Sequence, residues 1–464
     1  MEENMTNKFK NAMVLAVLTM VLLSPVSAAK KKKNDAFKKI EKQKDPATKK
    51  VYDFKGMTIV LGDWWTDPSA APASKKQEDD KAWQEWVNQT YNMKCYQAQA
   101  ASWASMPQFV TNYCITGGDE NYILCIDGRS ANVGIKADLF WDLSKITSVD
   151  YMNDSKYDKG VCERLKKGDS YYTFQWVKAE PREGMFFKKR ILEESGLNPD
   201  LPYDLQKEGK WTWESFEEIC KKVQRDVDND GLIDNYAMSS FYTCFGDAAL
   251  DSNGGSRISR DANGKFFNNA GSDKSMEAWN WMAHMWATYQ LPQPEGAAWD
   301  YFRVAFINGE TAFLADQEFI AQPGGTLSVM KDDFGFVAFP KGPSGDGKYH
   351  TLHDSPMWII PKCYDLEKAN KIAKAVDLFV TPTPGYDGPD AWKEDYYPGF
   401  RDARAVDETC VLLAQIPNQR VDKLVSGIGN DDMLNAICWG WQTPVEAYET
   451  WKNVWQGMLD DINR

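Results

Sequence analysis

The first part of the chain alternates strand-type and helical patterns. Trp83, Trp86 and Val87 share one face of a predicted helix, and a second helix is predicted over residues 106–113. Strands that alternate with helices indicate a parallel α/β sheet, whose ligands bind at the carboxyl ends of the strands. The strand candidates are residues 57–61, 94–98 and 122–126.

The remainder of the chain is more helical. A helix is predicted over residues 186–195, and it ends at Gly196, which suits a left-handed C-cap. Thr212 caps the next helix, and Thr443 and Glu446 form a capping box that opens the last one. Further strands are predicted at residues 311–315 and 335–339, and a further helix at residues 366–380.

The N-terminus has the pattern of an export signal. A basic start precedes an apolar stretch over residues 12–23, and small residues at 26–28 offer a cleavage site. We therefore expect a signal peptide over residues 1–28 and a flexible Lys-rich tether over residues 29–52. The mature protein is expected to be soluble and periplasmic or extracellular. No cysteine follows the cleavage site, so no lipoprotein anchor is predicted.

Composition and charge narrow the choice of function. Of 464 residues, 43% are hydrophobic, so the chain can bury a sizeable core. A formal net charge of −13 disfavours nucleic acid as a partner, because a polyanion would be repelled. Zinc sites and thiol redox sites are disfavoured, because the three histidines lack metal-ligand spacing and the nine cysteines include no C-x-x-C pair. The 19 tryptophans suit a core, but they also suit a sugar, whose ring has an apolar face.

Several segments resemble a known family in their order and spacing. Over most of the chain they are similar to the extracellular solute-binding proteins of carbohydrate ABC transporters, which include maltose-binding protein. Residues 201–210, 251–273 and 386–396 are expected to be inserts relative to that family. The segments that carry the resemblance are residues 184–197 (GMFFKK to ESGL), 211–216 (WTWESF), 306–313 (FINGETAF), 333–343 (DFGF to PKGP), 361–380 and 397–401 (YPGFR).

The resemblance implies a two-lobed periplasmic-binding-protein fold of type II, with a ligand cleft between two α/β lobes. One lobe is expected to take residues 52–173 and 349–384, and the other residues 174–348 and 385–464. The implied function is that of a monomeric binding component of an ABC importer, not an enzyme. Such a component captures a sugar or oligosaccharide and delivers it to the permease subunits at the membrane.

The candidate ligand-binding residues are those expected to face the cleft. Trp64 and Trp65 follow the first strand, and adjacent side chains of a strand point to opposite sides, so at least one is expected to face the ligand rather than the core. Asp127 and Arg129 either bond vicinal hydroxyls, as a similar pair does in relatives, or form a surface salt bridge. The remaining candidates, each with a structural role as the alternative, are Asp67, Arg182, Gln317, Phe319, His353, Asp354, Tyr397, Phe400 and Arg401. Core packing is expected instead for Trp439 and Trp441.

An acidic segment, DVDNDGLID at residues 226–234, matches the first part of an EF-hand calcium loop. The usual glutamate at position 12 is replaced by Ala237, so water or another carboxylate would complete the shell of a structural Ca²⁺ ion. The alternative is an acidic turn without metal. A similar loop is structural in some alginate-binding members of the family. The expected ligands are Asp226, Asp228, Asp230, the carbonyl of Leu232, and Asp234.

Two other functions remain open from the sequence. A secreted glycoside hydrolase needs only two carboxylates at a fixed separation, and the chain has 67 acidic residues. A surface glycan-binding adhesin or sensor could use the same fold. The ordered resemblance favours the transport component over both.

Overall fold

The computed structural model describes residues 37–176, 183–353, 356–415, 417–429 and 432–464. The signal peptide predicted over residues 1–28 lies outside this part of the chain. The strands are β1 Met57–Asp63, β2 Met93–Gln99, β3 Asn121–Ile126, β4 Glu183–Lys188, β5 Tyr236–Met238, β6 Ile258–Arg260, β7 Phe266–Asn268, β8 Thr311–Gln317, β9 Phe334–Val337, β10 Thr351–His353, β11 Met357–Ile359 and β12 Pro417–Gln419. Within the described ranges, no helix is long and apolar enough to cross a membrane.

The helices pack around these strands. They are α1 Lys75–Thr90, α2 Met106–Thr116, α3 Gly128–Lys136, α4 Lys159–Arg164, α5 Lys189–Glu194, α6 Leu201–Lys207, α7 Trp213–Val223, α8 Tyr242–Ser252, α9 Asp273–Tyr289, α10 Tyr301–Asn308, α11 Leu366–Phe379, α12 Lys393–Phe400, α13 Val411–Ala414, α14 Asp432–Cys438 and α15 Pro444–Ile462. A π-helical turn, Ala405–Cys410, leads directly into α13.

The first lobe is built on a four-stranded sheet in the order β11-β3-β1-β2. β1 runs parallel to β2 and to β3, as the alternation of strands and helices predicts, whereas β11 is antiparallel to β3. Apolar side chains of this sheet and its helices form one buried cluster, drawn from residues 54–174 and 357–379. The sheet therefore combines two stretches that are far apart in sequence.

The second lobe has its own four-stranded sheet, in the order β5-β8-β4-β9. Here β4 is antiparallel to both of its neighbours, and β5 is parallel to β8. A second buried cluster, drawn from residues 185–349 and 396–459, packs around it. The molecule is thus a two-lobed α/β protein with one core in each lobe.

Local sequence signals agree with the helix starts and disagree with the structure at β4. Thr443 forms the predicted capping box with Glu446, and Thr212, predicted as a cap, forms a capping box with Ser215. The helix predicted over residues 186–195 is wrong in its first part, because all six residues of β4 are buried in the sheet and only α5 is helical. The predicted insert at residues 251–273 contains the β6–β7 hairpin.

The segment before β1 differs from the expected tether. The Phe37 ring meets Trp83 edge-on at a centroid distance of 5.2 Å, and the amide of Gln43 donates to the Tyr91 hydroxyl at 3.0 Å. Residues 37–52 therefore lie against the first lobe, because an aromatic side chain in a polar segment finds an apolar site on α1. The flexible tether expected over residues 29–52 is contradicted from residue 37 onward, and residues 29–36 lie outside the described part of the chain.

One segment of the C-terminal part returns to the first lobe, and we call residues 417–425 the strap. Its strand β12 runs parallel to β10, which lies where the chain crosses between lobes. Leu424 is buried in the core of the first lobe, and its carbonyl accepts from Asn132 Nδ2 at 3.0 Å. Gly128 fits under the strap because a Cβ at that position would stand 2.8 Å from the Lys423 carbonyl. The strap corrects the simple assignment of residues 385–464 to the second lobe.

Candidate functional site

Both sheets turn one edge toward the segments that cross between the lobes, and we call these the crossing edges. In the first lobe, the carboxyl ends of β1, β2 and β3 share this edge with the start of β11. In the second lobe, Glu183 at the start of β4 pairs with Gln317 at the end of β8. Thr351 Oγ1 in the crossing strand β10 donates to the Glu183 carbonyl at 2.9 Å. The space between the two crossing edges is the candidate ligand cleft.

At the first crossing edge, a buried carboxylate shapes the turn that carries two tryptophans. Asp63 accepts from the amides of Trp65 and Thr66 at 2.9 and 2.8 Å, and from Gln97 Nε2 at 2.7 Å. Trp64 meets Trp65 edge-on at 4.9 Å. Trp64 packs against the core, while 49% of Trp65 is exposed. Trp65 is therefore the one of the pair that offers a free aromatic face.

A third tryptophan at this edge lies beside Trp64. Trp103, which follows β2, is 59% exposed and lines a small pocket together with Trp64 and Asp127. The Asp127 carboxylate accepts from the Ser130 amide at 2.7 Å, which caps α3. Asp127 therefore has a structural task in addition to its place on the pocket wall. Arg129 follows it within α3 and is partly buried.

The second crossing edge carries an ion pair that ends in a set of aromatic rings. Arg303 donates to Asp316 through Nε at 2.7 Å and through Nη2 at 3.1 Å. Burial alone would lower the pKa of Arg303, but the hydrogen bond and charge of Asp316 outweigh it and raise that pKa. A doubly bonded guanidinium has a fixed plane. The pair therefore holds a flat cationic surface at the end of β8.

Aromatic rings surround this guanidinium. It lies 5.4 Å from the ring centre of Trp299 and 5.9 Å from that of Phe319. Trp299 is 65% exposed and Phe319 is 39% exposed. Sequence reasoning named Phe319 but missed Trp103, Trp299 and Arg303. The available signal was a tryptophan in a loop rich in proline and glycine, where no apolar face exists to bury it.

Three predicted ligand residues of α12 and its C-cap have partners within the protein. Phe400 is 0% exposed and stacks on Tyr396 within the second core, so its assignment to the cleft was wrong; the buried face of α12 takes it inward. Tyr397 donates to Asp407 at 2.8 Å, and this bond raises the pKa of Tyr397 to about 12. Arg401 donates to two backbone carbonyls, those of residues 328 and 330, and holds that turn.

Of the four other candidate ligand residues, one lies on the first lobe, and the side chains of three lie outside the described part of the chain. Asp67 lines an open groove between α1 and the edge strand β2, where it accepts from the Ser69 amide at 2.8 Å. Arg182, Asp354 and the side chain of His353 lie outside the described part of the chain.

Charged residues join the strap to both lobes in a buried network. Arg164 of the first lobe donates to the Arg420 carbonyl at 2.7 Å. The Arg420 guanidinium pairs with Asp422 at 2.9 Å and with Asp247 of α8. Arg257 pairs with Asp247 at 2.6 Å from the other side. The network ties the strap to the second lobe while Leu424 ties it to the first.

The acidic loop folds around its own carboxylates. One oxygen of Asp226, one of Asp228 and one of Asp234 all lie within 4.8 Å of one another. Asp226 accepts from the Asn229 and Gly231 amides at 2.7 and 2.8 Å. Gly231 has a φ of 89°, a conformation that glycine adopts without strain. Three carboxylate oxygens at this separation fit a hard cation such as Ca²⁺.

Comparison with solved structures shows the same two-lobed architecture. The ABC substrate-binding protein of Listeria monocytogenes in complex with cycloalternan has a TM-score of 0.59 and 14% identity, covering 88% of this chain and 98% of that one. The cyclic alpha-maltosyl-1,6-maltose binding protein of Arthrobacter globiformis gives 0.62 and 12%, covering 88% and 100%. UgpB of Mycobacterium tuberculosis in complex with glycerophosphocholine gives 0.62 and 15%, covering 86% and 98%.

Sequence comparison assigns the family. No match is found among curated proteins. The profile described as bacterial extracellular solute-binding protein matches residues 126–382, more than half of the chain. That stretch spans the end of β3, the whole second-lobe sheet, the first two crossings between the lobes and α11 of the first lobe. The chain therefore belongs to the bacterial extracellular solute-binding protein family.

Proposed function

We propose that this protein is the substrate-binding component of an ABC importer and that it captures a sugar or an oligosaccharide between its lobes. The observation that carries the proposal is the exposure of tryptophan at both crossing edges, by Trp65 and Trp103 on one side and Trp299 on the other. Exposed indoles are costly in water, so an apolar partner that covers them stabilises the complex. The apolar face of a pyranose is such a partner.

The polar groups beside these rings suit hydroxyls. Asp127 lies in the pocket with Trp64 and Trp103, and the Arg303–Asp316 pair lies among the rings of the second edge. Carboxylate and guanidinium groups bond neighbouring hydroxyls with two parallel hydrogen bonds. Ring stacking combined with a few placed polar groups is the pattern of a small-molecule site.

The ligands of the solved relatives support an oligosaccharide over other solutes. One of them is in complex with cycloalternan, and another is a cyclic alpha-maltosyl-1,6-maltose binding protein. Glycerophosphocholine, the ligand of a third, is the competing ligand class. We propose a monomer that passes its ligand, unchanged, to permease subunits at the membrane.

A thermal-shift screen tests this function. Purified protein is heated with a panel of linear and cyclic oligosaccharides, with glycerophosphocholine and with buffer alone. Binding to the folded state raises the melting temperature by mass action. At least one glycan is expected to raise it, and mass spectrometry is expected to find that glycan intact. Cleavage of the glycan would make the protein a hydrolase, and a shift with glycerophosphocholine alone would move the ligand out of the carbohydrate class.

We also propose that the acidic loop holds a structural Ca²⁺ ion. The carboxylates of Asp226, Asp228 and Asp234 are the closest set and would bind it directly. Asp230 and the Leu232 carbonyl, expected at positions 5 and 7, would complete the protein ligands. The ion would offset the repulsion among the carboxylates and hold the connection between α7 and β5.

A further inference from the structure

The cysteines of this protein are unevenly exposed. Among the nine, Cys363 alone is partly exposed, and the other eight are buried. Members of an extracellular family meet oxidising conditions, in which thiols that can reach each other form disulfides. Formation of a disulfide by Cys363 requires a second thiol within its reach.

Two segments of the first lobe are fastened together beside Cys363. The hydroxyl of Tyr113, in the last turns of α2, lies 2.8 Å from the hydroxyl of Tyr364. The Tyr364 hydroxyl also donates to the Tyr122 carbonyl at 2.9 Å and accepts from the Tyr122 amide at 2.7 Å. The Trp141 indole donates to the Tyr364 carbonyl at 3.1 Å. The residues next to Tyr113 and Tyr364 in sequence, Cys114 and Cys363, are therefore carried on two segments with a fixed separation.

Cys363 lies beside the C-terminal end of α2. A Cβ built on Gly117 would stand 3.9 Å from Cys363 Cβ and 4.0 Å from Cys363 Sγ. Cys114 lies in the last turn of α2, and Gly117 caps that turn, because its amide donates to the Tyr113 carbonyl at 2.8 Å. Burial and the nearby Cys363 thiol together raise the pKa of Cys114 to about 12. Cys363 thus packs against the same end of α2 that carries Cys114.

We propose that Cys114 and Cys363 form a disulfide bond when the exported protein meets a disulfide oxidant. The Cys363 thiolate attacks a sulfur of the oxidant, which gives a mixed disulfide and releases one thiol. The Cys114 thiolate then attacks Cys363 Sγ, the mixed disulfide breaks, and a second thiol leaves. Two thiols of the protein are oxidised and one disulfide of the oxidant is reduced to two thiols. Burial raises the pKa of both cysteines, so the reaction is slow at neutral pH and accelerates as pH rises.

The bond would staple one lobe without touching the cleft. Both residues belong to the first lobe, and residues 183–349, most of the second lobe, lie between them in sequence. A crosslink around a long loop stabilises mainly by restricting the unfolded chain. Since neither end lies in the second lobe, the lobes keep their freedom to move, and ligand affinity is expected to stay the same.

Peptide mapping of the full chain tests the proposal. Protein treated with oxidised glutathione at mildly alkaline pH is alkylated, digested without reductant and analysed by mass spectrometry, alongside protein kept in dithiothreitol. The oxidised sample is expected to contain a linked peptide with Cys114 and Cys363, lighter by two hydrogens, and to melt at a higher temperature. Cys363→Ser is expected to abolish both changes, and Cys438→Ser, in the second lobe, to keep both.

Two results would overturn the proposal. One is alkylation of both cysteines after full oxidation, and the other is glutathione on Cys363 with Cys114 still alkylated. Cys363→Ser alters a partly exposed side chain, so the test does not depend on whether Cys114→Ser folds. The outcome is independent of the ligand, and a failed glycan screen would leave it unchanged.

Discussion

At the scale of single residues, exposure separates tryptophans that composition cannot. Trp211 and Trp279 are fully buried in the second core, whereas Trp65 and Trp299 present much of their surface at the crossing edges. The expectation that Trp439 and Trp441 pack in the core was wrong, because α14 ends just before them and Trp441 is 73% exposed. Substitution of an exposed tryptophan at a crossing edge therefore tests ligand binding, and substitution of an exposed tryptophan elsewhere serves as its control.

Removing an exposed indole from the cleft is expected to weaken binding without unfolding the protein. Trp65→Ala and Trp299→Ala should each cost about 1–3 kcal/mol of binding free energy, roughly tenfold or more in Kd. The reason is that each stack on a sugar buries apolar surface of both partners. Titration calorimetry with the best glycan of the screen measures Kd, and a melting curve measures stability.

Two control variants show whether a loss of binding is specific to the cleft. Trp441→Ala removes a still more exposed ring that follows no strand end, and should change neither Kd nor Tm. Phe302→Ala empties a buried site beside Arg303 and should lower Tm. Normal binding by both cleft variants would place the ligand elsewhere.

At the scale of elements, the sequence predicts what is local. The capping boxes at Thr212 and Thr443 were predictable because both partners lie within one helical turn. The Arg303–Asp316 pair was not, because it depends on how α10 packs on β8. The inward turn of Phe400 was missed for the same reason. Strand ends could therefore be placed from sequence, but the side chains that other elements bring to them could not.

The acidic loop gives a prediction for metal binding. A chelator is expected to lower the melting temperature of the wild type, because the carboxylates of Asp226, Asp228 and Asp234 then repel each other. Asp228→Ala should melt at the lower temperature and no longer respond to chelator. Asp119→Ala, an exposed aspartate in another turn, should respond like the wild type. Glycan affinity should change little, and an unmoved wild-type curve at every calcium level would exclude the site.

The ion pairs of α11 predict a pH dependence. Asp377 lies 2.6 Å from Lys156 Nζ and 2.8 Å from Lys374 Nζ. Burial alone would raise the pKa of Asp377, but the two ammonium groups outweigh it, and the pKa lies below its ordinary value. A lowered folded-state pKa stabilises the fold above the unfolded pKa, and this stability is lost as pH falls through the folded value.

Asp377→Asn is therefore expected to be less stable than the wild type at neutral pH by about 1–3 kcal/mol. The difference should shrink as pH falls below about 4, where the wild-type carboxylate also becomes protonated. Urea denaturation at pH 7, 5 and 3 measures it. A difference that stays constant over this range would show that the ion pairs do not titrate as argued.

At the scale of the whole molecule, the strap couples the two cores. Leu424 fills part of the first core, and Arg420 joins the network of the second lobe. We expect a single unfolding transition in scanning calorimetry, with equal calorimetric and van't Hoff enthalpies. Leu424→Ala should lower stability by about 2–5 kcal/mol and split the transition in two. Two separate peaks in the wild type would show that the lobes unfold independently.

The strap also limits how such proteins can be recombined. A chimera that took its second lobe from a relative would place a foreign loop over Gly128. The space there is tight, because a β-carbon on residue 128 would lie 2.8 Å from the Lys423 carbonyl. The first lobe would lose the side chain that completes its interior, although none of its own two stretches had been replaced. Exchange of ligand specificity between relatives is therefore expected to succeed through grafts of the crossing-edge loops, and to fail when whole lobes are traded.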